Sequence, residues 1–244
     1  MTDGNSLQSN NVNYEFEGLQ FANNYRSAVL KEFYPFLKGD VIEVGAGLGQ
    51  FTEILKSVPA VKKIVAIEPY APFCEQFRRS HPGIELINGT INEINNRTNW
   101  DAIVSVNVLE HIEDDEAELK TYFNLLKSKQ GFLCLFTPAR MEIYSKIDKI
   151  FGHYRRYTKQ ILKEKLESAG FSVIRIHYFN FVGYFGWALI FKILGTERFN
   201  PAAVRNFDRF VLPVVHFIES NIIRPPIGQS LVAIAQASEK SNTH

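Results

Sequence analysis

Two groups of residues in this chain have the types and spacing to do chemistry: a glycine-dense turn with a carboxylate beyond it, and a pair of imidazoles. The turn, Gly45-Ala46-Gly47-Leu48-Gly49, follows the apolar run Val41-Ile42-Glu43-Val44. Glycines at such a place let the backbone approach a ligand closely, at the edge of the sheet where open α/β folds bind ligands. A dinucleotide loop would set its third glycine where Gln50 stands, and here an acid, Glu43, precedes the turn instead. Glu68-Pro69 closes the next apolar run, nineteen residues beyond Gly49. A carboxylate at that tip can accept hydrogen bonds from both hydroxyls of a ribose. Asn88-Gly89-Thr90 closes a third run, where a side-chain amide and backbone groups suit the exocyclic amine of an adenine. The bland readings are a tight strand-to-helix connection and a solvated charge at a strand end. The imidazoles are His111 and His153, whose ordinary basicity suits proton transfer near neutral pH.

These residues need elements to hold them, and the chain alternates short β-branched runs with helical stretches. The runs at 41–44, 63–67, 84–87, 102–106 and 132–136 are separated by helical patterns at 51–56, 71–80 and 114–126, with further helices at 141–150 and 158–169. Parallel neighbours must be joined by crossovers, so the pattern predicts a mostly parallel sheet with helices on both faces. An amphipathic helix over 19–37 precedes it, with Phe21, Tyr25, Ala28, Val29, Phe33 and Phe36 mostly three or four residues apart. Strand-like runs at 171–178 and 230–235 follow it. Residues 1–13 read as a disordered polar leader without a signal-peptide pattern, and 14–244 as one domain, which places the chain in the cytoplasm.

With 244 residues, 45% hydrophobic and 22% charged, the chain is long enough for one sizeable core and excludes a disordered tail or a disulfide miniprotein. A formal charge of +1 offers no global field for a nucleic acid. Cys74 and Cys134 have no zinc spacing. The near-apolar run 181–191 is shorter than a bilayer span, so a transmembrane segment is not expected, although this run could lie on a membrane surface.

The sequence resembles the class I S-adenosylmethionine-dependent methyltransferases, in particular the small-molecule branch with Leu-Glu-His after the fourth strand. The likeness is carried by E-V-G-A-G-L-G at 43–49, Glu68, N-G-T at 88–90, W-D-A-I-V-S-V-N-V-L-E-H-I at 100–112 and G-F-L-C-L-F-T-P at 131–138. It implies a Rossmann-like α/β fold: a seven-stranded, mostly parallel sheet with helices on both faces and an antiparallel last strand. Carried over, Glu43, Gly45, Ala46, Gly47 and Gly49 would wrap the methionine part of the cofactor and Glu68 and Pro69 the ribose. Asn88, Gly89 and Thr90 would face the adenine, although an Asp is common at Asn88, and Asn107, Val108 and Leu109 would lie beside the sulfonium. S-adenosylhomocysteine would be the released product. A non-catalytic S-adenosylmethionine-binding protein and an NAD-dependent oxidoreductase are the alternatives.

Methyl transfer requires an acceptor held in line with the S–CH₃ bond and, for a hydroxyl or protonated amine, a base. His111 and His153 are the candidates, against a reading in which Leu-Glu-His merely orients the next helix. In the cluster at 152–158, Arg155 or Arg156 could bind a carboxylate or phosphate on a small-molecule acceptor, secondary metabolite or sugar-like, with Tyr154 and Tyr157 beside it, or the arginines could equally pair with acidic surface residues and the tyrosines pack under the loop. No metal is expected, because Asn107 replaces the carboxylate that cation-dependent catechol-type enzymes carry there. The family's last two strands pair through a short connection, yet 181–229 intervenes here. That insertion, with Trp187 and Phe207 among its aromatics, reads as two apolar helices forming an acceptor lid. Core packing, a homodimer contact and a shallow membrane contact are its rivals.

Overall fold

The computed structural model describes residues 21–94 and 99–238, so the leader at 1–13 lies outside the described residues. Strand β1, Gly39–Val44, is buried on both faces over 41–44, as a central parallel strand must be. Its side chains alternate, Val41 joining the core on one face and Ile42 the core on the other. Helix α1, Asn23–Phe33, precedes it and packs Ala28, Val29 and Phe33 inward. The alternation then continues through α2 (Gln50–Leu55), β2 (Val61–Glu68), α3 (Ala71–Ser80), β3 (Glu85–Asn88), β4 (Ala102–Val106), α4 (Asp115–Leu126) and β5 (Phe132–Pro138).

Seven strands form one sheet in the order β3-β2-β1-β4-β5-β7-β6, with β6 at Ser172–Phe179 and β7 at Ser230–Gln236. β7 runs antiparallel to both of its neighbours, and the other pairings are parallel. This is the seven-stranded Rossmann-like sheet that the sequence predicts. All of β1, β2, β3 and β4 end on the same edge, which brings the glycine turn, Glu68, Asn88 and Asn107 to one side of the molecule.

The helix expected over 141–150 is instead a short 3₁₀ turn, Met141–Ile143, followed by α5, Lys146–Ile150. Ser145 restarts the helix because its hydroxyl and Asp148 form a reciprocal cap. α6 spans Lys159–Ser168 and is capped by Thr158. The insertion contains α7 (Phe181–Trp187), which passes into a π-helical stretch, Ala188–Ile193. Its second helical segment runs from α8 (Pro201–Asn206) through another π stretch, Phe207–Val211, into α9 (Leu212–Asn221).

Two carboxylates anchor the insertion to the sheet domain. Asp208, buried, accepts the backbone N–H groups of Asn24 and Tyr25 at 3.0 and 2.8 Å, at the start of α1. Glu219 accepts those of Asn180 and Phe181 at 2.9 and 2.6 Å, which serves orphan donors at the N-terminus of α7.

Candidate active site

The backbone path after β1 turns sharply. Gly45, Gly47 and Gly49 take φ values of 71°, 56° and 83°, a region that residues with a Cβ avoid. A Cβ on Gly45 would also collide with Val108. The turn places the Gly47 N–H 2.8 Å from one oxygen of Glu68, whose other oxygen accepts the Tyr70 N–H at 2.8 Å. Both oxygens retain lone pairs beyond these bonds. Burial raises the Glu68 carboxyl above its ordinary value, and the two backbone donors oppose the rise. Glu43, deeper in the same wall, accepts the Thr52 hydroxyl at 2.6 Å, and burial pushes its pKa up to about 8.

These groups border a cavity of about 360 Å³, within the usual range for small-ligand sites. Of the residues expected to hold a cofactor, Glu43, Gly45, Ala46, Glu68, Pro69, Asn107 and Val108 line it. Gly47 and Gly49 shape the turn behind it. Asn88, Gly89, Thr90 and Leu109 do not line it, and their own partners explain why. The Asn88 amide donates to the carbonyls of Glu68 and Pro69, each at 3.1 Å. The Thr90 hydroxyl and N–H are engaged by Glu93 in a capping box, and Leu109 is fully buried in the core. Sequence reasoning missed Tyr70 and Phe73, which line the cavity edge to face at 5.0 Å from each other. Their positions just past Glu68-Pro69, at the same strand tip, were the available signal.

A second cavity, of about 380 Å³, adjoins the first, and Ala22, Tyr25, Asn107 and Phe151 line both. Asn107 is held with φ 53° at the end of β4, a strained conformation for a residue other than glycine and of the kind that clusters at functional sites. The floor of the second cavity carries Glu110, His153 and Arg156, and its roof carries Trp187, Phe191, Phe199 and Phe207 from the insertion. Trp187 lies over the Arg156 guanidinium, 4.5 Å from the ring centre.

The structure brings the two histidines together across 42 residues of sequence, with ring centres 4.6 Å apart and planes nearly perpendicular. His111 lines the first cavity and His153 the second. Asp148 orients His153 through a 3.1 Å contact to Nδ1, and is itself held by Arg156 Nε at 2.7 Å and by the Ser145 N–H at 2.8 Å. Burial keeps both imidazoles below their ordinary basicity, with His153 further disfavouring charge on His111.

The rest of the 152–158 cluster points elsewhere. Arg155 is paired with Asp115 at 2.8 Å, the Tyr157 hydroxyl donates to the same carboxylate at 2.8 Å, and Tyr154 is exposed. None of the three lines either cavity, because the buried Asp115 draws Arg155 and Tyr157 to the start of α4. Arg156, beside them, is the arginine that reaches the second cavity.

Residues 20–176 match the family described as a methyltransferase domain. Over 98 residues the chain is 31% identical to the malonyl-[acyl-carrier protein] O-methyltransferase of Calditerrivibrio nitroreducens, covering 40% of this chain and 38% of that protein. The chain thus spans about two fifths of the curated relative's length. One similar solved chain belongs to the complex between the Haloferax volcanii Trm112 methyltransferase activator and a methyltransferase, with TM-score 0.65, 12% identity and coverage of 96% of this chain and 98% of that one. Another is a SAM-dependent methyltransferase from Archaeoglobus fulgidus, with TM-score 0.57, 16% identity and coverage of 91% and 99%. A family match across most of the sheet, joined to a glycine turn whose Gly47 N–H meets the Glu68 carboxylate at the edge where the family binds its cofactor, leads to one conclusion: the chain belongs to the class I S-adenosylmethionine-dependent methyltransferases.

Proposed function

We propose that this chain transfers the methyl group of S-adenosylmethionine to an oxygen, nitrogen or carbon of a small acceptor, such as a secondary metabolite or a sugar-like molecule. The observation that carries this reading is the junction of the two cavities at Asn107 and Phe151. The cofactor, when bound, supplies a methyl already activated on a sulfonium.

The chain's own task is then to position the acceptor and manage its proton. Gly45, Ala46 and Glu68 hold the cofactor side, with the Glu68 oxygens free to accept from ribose hydroxyls. Trp187, Phe191 and Phe207 enclose the acceptor and exclude water, so the insertion acts as a lid. His111 and His153 stand on either side of the junction and activate the acceptor's nucleophilic atom.

Incubation with methyl-labelled S-adenosylmethionine and a panel of acceptors tests the reading, with label in an acceptor as the expected result. His153→Ala should lower kcat by roughly 10²-fold while S-adenosylhomocysteine affinity barely moves. Cofactor binding with no transfer to any acceptor would favour the non-catalytic alternative.

A further inference from the structure

We propose that Glu110, His111 and His153 form a binding site for one divalent first-row transition cation at the floor of the acceptor cavity. One ligand atom from each, a carboxylate oxygen and two ring nitrogens, lies within 4.8 Å of the others. Ligands about 2.0–2.2 Å from a shared ion stand up to roughly 4 Å apart, so side-chain shifts of about half an ångström close the three around a cation.

An independent observation comes from how the imidazoles are held. Asp148 occupies the Nδ1 side of His153, whereas Nε2 is buried with no hydrogen-bond partner among the described residues. A carboxylate on one ring nitrogen and a metal on the other is the usual arrangement of a ligating histidine. Asp148 is in turn fixed by Arg156 and Ser145, so it cannot swing away from that ring. The Phe151 backbone hydrogen-bonds the His111 ring.

Two imidazoles and one carboxylate suit Mn²⁺, Fe²⁺, Co²⁺ or Zn²⁺ better than Mg²⁺ or Ca²⁺, which favour all-oxygen sites. Asn107, where the sequence argues against a metal, is not needed by this ligand set. Glu110 and His153 line the acceptor cavity, so the open coordination positions face the acceptor. A cation there would lower the pKa of an acceptor hydroxyl and hold its oxygen, so that with the cation bound the two histidines would activate the acceptor through the ion and not as proton acceptors themselves. That role rests on the methyl-transfer reading; the binding of the cation does not.

The test uses the full chain, stripped with a chelator and titrated separately with Zn²⁺ by calorimetry and with Co²⁺ by visible absorption. One equivalent of saturable binding is expected, with a Co²⁺ spectrum of low-symmetry nitrogen and oxygen ligation. His153→Ala and Glu110→Gln should weaken it at least tenfold while S-adenosylhomocysteine binding persists. Asp148→Asn should weaken it by about 10- to 100-fold through the orientation of His153. If His153→Ala does not fold, His153→Gln and the wild-type Co²⁺ spectrum decide. Absence of saturable uptake by the stripped wild-type chain, or uptake that Glu110→Gln and the histidine variant leave unchanged, would overturn the site. Saturable binding without label transfer would support the site and sink the methyl-transfer reading instead.

Discussion

The two joined cavities, which the proposed function assigns to cofactor and acceptor, are walled on opposite principles. On the cofactor side, strand tips hold each polar group by short local bonds: Gly47 and Tyr70 to Glu68, and Thr52 to Glu43. On the acceptor side, the insertion meets the chamber with aromatic rings, while its outer face leaves Ile193 at 73% and Ile222 at 70% exposure. Both insertion helices contain π-helical stretches, and Ile190, Phe191 and Phe207 within them line the chamber. Such stretches are rare and are often found at functional sites. Under the proposed function the contrast would separate two tasks, a rigid sheet edge fixing a constant cofactor and a helical insertion setting the shape offered to the acceptor.

The sharpest break in this comparison is Gly47→Val. A β-branched residue at φ 56° disrupts the turn that meets Glu68, and calorimetry should find S-adenosylhomocysteine binding abolished with the fold retained. Glu68→Ala should weaken the same binding by roughly 1.5–3 kcal/mol, through loss of charge-assisted hydrogen bonds. Unchanged affinity in both would remove the cofactor wall from the site.

On the other wall, Trp187→Ala should raise the acceptor KM roughly tenfold, about 1.4 kcal/mol, with cofactor affinity within about twofold. An equal loss of cofactor affinity would show that the walls are not separable.

Glu43 sharpens the contrast through pH. Its folded pKa of about 8 exceeds the ordinary 4.5, so between those values the folded chain keeps a proton that the unfolded chain has lost. Stability therefore falls as pH rises through that window, by up to about 1.4 kcal/mol per pH unit for this one group. Glu43→Gln should flatten the slope of denaturant-measured stability between pH 5 and 8, to be followed at about those values by linear extrapolation. The same slope in wild type and variant would mean that Glu43 is ionised in the fold.

The smallest effect belongs to the outer face. Ile193→Asp should leave cofactor affinity and kinetics with a water-soluble acceptor unchanged, while lowering any liposome binding or dimerisation. No helix among the described residues is long and apolar enough to cross a membrane. Altered kinetics with no change in association would place Ile193 on the acceptor side.

The parts of the molecule that were legible in the sequence are those set by short-range pattern. Apolar runs of strand length at 41–44 and 102–106, glycines where φ is positive, and Glu68 at a strand tip all follow from neighbouring residues, and they determine the sheet and the cofactor turn. Arg140 at φ 72° and the Ser145 cap broke the helix expected over 141–150, because a local hydrogen bond outcompeted the apolar period. What the tertiary structure alone decided is which polar residues meet. Tyr157 and Arg155 belong to Asp115, 42 and 40 residues away in sequence, while His153 belongs to Asp148 and stands beside His111. No spacing rule distinguishes these neighbours. Their partners are assigned when α4, α5 and the insertion pack onto the sheet edge, where a buried polar group must find a partner among whatever the fold brings near.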